Sequence, residues 1–178
     1  TLGRRTDAVI SWLIDLTMGV PHILLVMLIA LAFGRGLTGV VAGVALSHWP
    51  SLARVIRGEV IQLRQAPYIL TAGKLGVSRW RVIQRHMLPH LLPQFVVGLV
   101  LQFPHAILHE AGITFLGFGL PPEQPAIGVI LSESMRYLTT GRWWLALFPG
   151  LALMLTVLLF ASIGDRLRRL LDPSSAQR

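Results

Sequence analysis

The side chains of this chain that can do chemistry are few, and they sit in apolar surroundings. His105 and His109 lie four residues apart, so both imidazoles fall on one face of a helix. Imidazole nitrogen suits nickel, zinc, copper and iron. Pro104, directly before the pair, loosens the helix and frees a carbonyl. His48, on another apolar segment, can add a third nitrogen. Two uses fit this pattern: contact with a cationic or chelated cargo, or hydrogen bonds between helices. If these groups line a watery path, an ion using it must leave as well as enter, so the first use implies a weak, transient two-histidine contact. No fixed metal site is expected. Asp15, His22 and Glu110 also fall in apolar segments, where ionisable groups are costly and face a bundle interior or a watery path. Asp15 and Glu110 are expected to pair with polar neighbours.

Several chemistries are excluded. His109-Glu110 opens a His-Glu-x-x-His pattern, but the second histidine position is Ile113, which removes a zinc protease of that type. There is no cysteine, hence no thiol chemistry or disulfide. There is no Gly-x-x-x-x-Gly-Lys-Ser/Thr loop to cradle a phosphate. The chain is therefore not expected to be an enzyme.

The elements that position these groups are membrane helices. Of 178 residues, 53% are hydrophobic and 13% charged, against about 25% charged in soluble domains. The apolar residues arrive in runs near the ~20 residues that a spanning helix needs. Four spans are expected, at about residues 7–33, 37–56, 91–116 and 143–164. Asp15 and Pro21 interrupt the first, and a kink is expected near Pro21. The chain begins at Thr1 and enters an apolar pattern almost at once, so an N-terminally truncated sequence is expected.

The net charge of +8 would suggest nucleic acid in a soluble protein, but here the basic residues bracket apolar runs. Arg4, Arg5, the basic residues of 57–89, and Arg166, Arg168 and Arg169 share one side if four spans alternate. The other side holds Arg35, and Arg136 and Arg142 offset by Glu123 and Glu133. The positive excess marks the cytoplasmic face. Residues 57–89 are then a cytoplasmic loop and 117–142 an external one. In the external loop, residues 126–138 suit an amphipathic helix near the membrane interface, with Ile127, Ile130, Leu131, Ser134 and Leu138 on one face. The tail 172–178 reads as frayed.

The cytoplasmic loop carries Arg57, Arg64, Lys74, Arg79, Arg81 and Arg85 against one acid, Glu59. Charge alone fits an ordinary basic loop held on anionic lipid. Pro67 suits the first turn of a helix over 66–74, which Gly76 ends in a left-handed conformation. Ser78 is a candidate N-cap for a second helix over 79–87, with Ile83, His86 and Met87 on one face. Pro89 then opens the next span. Two short helices joined at a glycine make a knob that a soluble partner can grip.

The segments HWPSLARVIRGEV, LGVSRWRVIQRHMLP, ITFLGFGLPPEQPAIGVIL, WWLALFPGLAL and GDRLRRLLDP resemble the inner-membrane permeases of the peptide/nickel importer family, in that family's order, across nearly the whole chain. The family's EAA motif reads Glu-Ala-Ala, three residues, Gly, nine residues, Ile, one residue, Leu-Pro. Here Leu70 stands at the glutamate, Thr71 and Ala72 at the alanines, Gly76 at the glycine and His86 at the isoleucine, and Leu88-Pro89 close it. The departures bear on the fine geometry of docking, not on its existence.

The resemblance implies one transmembrane permease domain over residues 1–178, with the all-α type I importer fold and its first two spans missing. It implies a permease subunit of an ATP-driven importer of nickel, its chelate, or di- or oligopeptides across the inner membrane of a prokaryote. Thr71, Ala72, Gly76, Ser78, Arg79, Arg81 and Pro89 would couple to the ATPase. His48, His105 and His109 would line the substrate pathway. No cofactor is expected in this chain, since ATP and Mg would bind a partner ATPase. The further partners implied are a second, different permease subunit, an extracytoplasmic binding protein and membrane lipid, with no nucleic acid. The alternative is an ATP-independent carrier or channel subunit.

Overall fold

The computed structural model describes residues 3–171, and the expected frayed tail at 172–178 lies outside the described residues. The described residues form helices and connecting turns, with no strand among them. They are α1 (Arg4–Met18), α2 (His22–Ala32), α3 (Leu37–Gln65), α4 (Pro67–Lys74), α5 (Arg79–Val82), a π-turn (Ile83–Met87), α6 (Leu88–Phe115), α7 (Ile127–Leu138) and α8 (Trp144–Leu171). Three helical stretches are long and apolar enough to cross a membrane, or four if the bent pair α1–α2 is one span.

The first expected span is a break rather than a kink. α1 and α2 meet at 93°. Gly19 ends α1, and Pro21, with no N–H to give, precedes α2. α2 alone rises about 16 Å, roughly half of a bilayer's hydrocarbon core. Asp7 and Asp15 on α1 are exposed and reach α3: Asp7 accepts both Nε and an Nη of Arg57 at 2.8 Å, and Asp15 accepts from Arg54 at 2.8 Å.

α2 and α3 lie antiparallel along a stripe of small residues. Ala30 faces Gly39, Val26 faces Gly43 and His22 faces Ser47, stepping four residues on each helix. A Cβ at Gly39 would stand 2.5 Å from the Ala30 carbonyl oxygen, and one at Gly43 would stand 2.8 Å from that of Val26. In lipid, where tails are as apolar as leucine, such close backbone approach is what drives packing. Val26, Ala30, Val40 and Ile113 close the core at this end, which brings α6 onto the pair. Farther along, Leu52 of α3 meets Gly98 of α6, and Leu101 of α6 meets Gly164 of α8.

Helix lengths differ from expectation at the charged ends. α3 runs to Gln65, so the loop expected from residue 57 begins as nine residues of helix. α8 runs seven residues past the expected 164. Charged side chains end the apolar run but not the backbone hydrogen bonds, which continue into water.

The helix expected over 126–138 forms as α7 and packs against α6 and α8. Gly128, Val129 and Ser134 of α7 are buried, while Ile130 and Leu138 are exposed. A Cβ at Gly128 would stand 2.5 Å from the Ala111 carbonyl oxygen. Of the expected face, Ser134 is buried and Ile127 and Leu131 are half-buried, but the contact face also takes in Gly128 and Val129 in place of Ile130 and Leu138.

Candidate functional site

Three helices bring three histidines together. His22 opens α2, His48 lies midway along α3, and His109 lies near the end of α6. Their ring centroids are 4.6 Å apart for His22 and His48, 4.4 Å for His22 and His109, and 5.2 Å for His48 and His109. One nitrogen from each falls within 4.8 Å of the other two. All three are half-buried.

Two of the rings are oriented by backbone carbonyls. His48 Nδ1 donates to the Val44 carbonyl at 2.8 Å, and His109 Nδ1 donates to the His105 carbonyl at 2.6 Å. A carbonyl only accepts, so each Nδ1 carries the proton and each Nε2 keeps its lone pair. His48 Nε2 is buried and has no hydrogen-bond partner. His22 Nε2 has a long contact with the Ser47 hydroxyl, at 3.5 Å. Ser47 itself donates to Val44 and lies 3.2 Å from His48 Nδ1.

The sequence pair His105 and His109 does not act as a pair. His105 is exposed and lies outside the triad, contributing its carbonyl to orient His109. Pro104 frees the carbonyl four residues before it, that of Val100, not this one. His22 completes the cluster, while His105 lines the same cavity beside it. In sequence His22 is legible as an ionisable group in an apolar segment, but nothing there pairs it with His48 and His109. Asp15 and Glu110 have the polar neighbours expected of them: Arg54 for the first and the Thr114 hydroxyl, at 2.9 Å, for the second. The buried Thr114 also accepts from the Leu120 N–H at 3.1 Å and so ties α6 to the loop before α7.

A cavity of about 550 Å³ starts at the triad and follows α3 and α6. His22, His48 and His109 line one end, with His105 and Gln102 beside them, and Glu59 and Arg168 line the other. From His48 to Glu59 the path is about 16 Å of helix.

The second feature is the knob over 66–87. Leu63, Ile69, Val82 and Met87 form its buried core, with Ala72 and Val77 against them. In water each of these larger apolar residues contributes about 1.5–3 kcal/mol. Pro67 takes the first turn of α4, and Gly76 sits at φ +76°, as expected. Ser78 starts α5 with an extended backbone but makes no side-chain cap bond. The second helix is not a separate one: α5 passes through the π-turn into α6 as one helical stretch, Arg79–Phe115. Pro89 explains the π-turn. It lacks an N–H and its ring crowds the carbonyl four residues back, and a widened turn relieves both. Ile83 and Met87 pack inward, while His86 points out to Tyr68, 6.1 Å away between ring centroids. Thr71, Gly76, Ser78, Arg79, Arg81 and Pro89 are exposed and Ala72 is half-buried. Leu75 and Trp80, which the sequence did not single out, are 77% and 67% exposed at the tip.

An all-helical, multi-pass membrane chain with a basic, apolar-tipped knob is the class that the fold defines. The family model of the binding-protein-dependent transport system inner membrane component matches residues 1–177, and the chain belongs to that family. It is a multi-pass inner-membrane protein. It is 37% identical over 171 residues to the dipeptide transport system permease protein DppC of Alkalihalophilus pseudofirmus, covering 96% of this chain and 56% of the relative. It is 30% identical over 171 residues to the DppC of Bacillus subtilis, covering 96% of this chain and 53% of the relative. The chain thus spans little more than half the length of these relatives.

Proposed function

We propose that this chain is the translocating part of a permease subunit in an ATP-driven importer of di- or oligopeptides. The knob carries the reading. It is packed firmly to α3 and α6 by its own core, yet it presents Leu75, Trp80, Arg79 and Arg81 outward. Such a body suits the cleft of a soluble ATPase subunit, which would bind the ATP and Mg. Family membership supports an extracytoplasmic binding protein and a second permease subunit as the other partners. The peptide cargo rests on what the named relatives carry.

The histidine triad favours a second reading of the cargo, a nickel ion or its chelate, because nitrogen donors of this kind suit late transition metals. Reconstitution of the full complex decides between them. A dipeptide, nickel or a nickel chelate on the binding protein should stimulate ATP hydrolysis. An ATP-independent flux through the permease alone would overturn the importer assignment.

A further inference from the structure

We propose that His22, His48 and His109 form a relay site for a late first-row divalent transition-metal ion, crossing either bare or within a small chelate. This rests on the metal-cargo reading of the permease. Three observations carry it. The nitrogens come from three different helices yet stand within 4.8 Å of one another. The Nδ1 protons of His48 and His109 are held by the Val44 and His105 carbonyls, the arrangement by which protein ligands turn the opposite nitrogen to a metal. His48 Nε2 is buried with no partner, a costly state that a metal ion relieves.

The geometry also sets the strength. Tetrahedral ligation at about 2.1 Å needs nitrogens about 3.4 Å apart. The triad is more open than that, so the ion is held fully only after the helices close by about an ångström. The ligand set is three neutral imidazoles: Glu110 is turned to Thr114, and the nearest carboxylate lining the cavity is Glu59 at its far end. A neutral, loosely spaced set binds and releases. Borderline nitrogen donors select nickel, cobalt, copper and zinc over magnesium and calcium.

The test uses the whole complex in lipid nanodiscs, carrying no histidine tag. Cobalt(II) alone and cobalt(II) citrate are titrated separately, and the visible ligand-field bands are followed. Binding of the bare ion, the chelate or both identifies the species. The variants are H22Q, H48Q and H109Q, which keep size and hydrogen bonding but bind metal poorly, and H105Q as the contrast. Each triad variant is expected to weaken cobalt at least about tenfold, with H105Q close to wild type. A wild-type complex that shows no histidine-type bands in either arm overturns the proposal, as does an H105Q loss equal to those of the triad. Dipeptide-stimulated ATP hydrolysis is measured on the same samples. A complex that couples to dipeptide but shows no cobalt bands refutes the metal site and leaves the importer reading standing. Cobalt bands in a complex that couples to no cargo refute the importer reading instead.

Discussion

The knob and the histidine triad are built in opposite ways. The knob buries apolar side chains on itself and turns Leu75, Trp80 and its arginines outward, so its shape depends on residues close in sequence. The triad turns polar atoms inward, and its shape depends on the register of three helices. Glycine shows the difference most directly. Gly43 has the Val26 carbonyl where a side chain would go, while Gly73 in α4 has open space on that side. The same residue type is a packing requirement in one region and a replaceable helix position in the other.

The largest expected effect separates the regions at that point. Gly43→Leu should cost about 3 kcal/mol through overpacking against backbone, lower the melting temperature of the complex, and part His22 from His48. An unchanged melting temperature would mean that α2 and α3 are not locked by close approach. Next, the double variant Leu75→Ala, Trp80→Ala should weaken association with the proposed ATPase partner by about 2 kcal/mol, since exposed aromatic anchors dominate such interfaces. Because both side chains are exposed, stability of the permease itself should hold. Equal affinity in a pull-down titration would remove the tip from the interface. Gly76→Val follows: a branched residue at positive φ costs about 1–2 kcal/mol and distorts the bend, so uptake should fall while ATP hydrolysis continues. Smallest is Gly73→Ala, which should raise helix stability by about 0.5–1 kcal/mol with no change in transport. Loss of transport there would show that the knob needs flexibility as well as shape.

The knob was legible in the sequence because its determinants are local. Pro67, Gly76 and the run of arginines mark its start, bend and watery setting within twenty-odd residues. The π-turn was not legible, because Pro89 reads equally well as the start of a new helix. The triad was half legible. His22, His48 and His109 all stood out as polar groups in apolar runs, and His105, four residues before His109, lines the cavity without joining the cluster. His22 enters only because α2 breaks at 93° from α1 and slides along the glycine stripe of α3. That register is a tertiary fact. The small residues that fix it, Gly39, Gly43 and Ser47, were present but unremarkable beside the larger apolar ones. The face of α7 was legible only in part for the same reason: Ser134 is buried as expected, but Gly128 gave no apolar signal.

The helical stretch from Arg79 to Phe115 carries Trp80 at one end and His109 about 44 Å along it. α3 runs beside it, with Leu63 in the core of the knob, Leu52 against Gly98 and His48 in the triad. The outward tip and the inward imidazoles therefore hang on one scaffold of two long helices, so neither region is free of the register that sets the other.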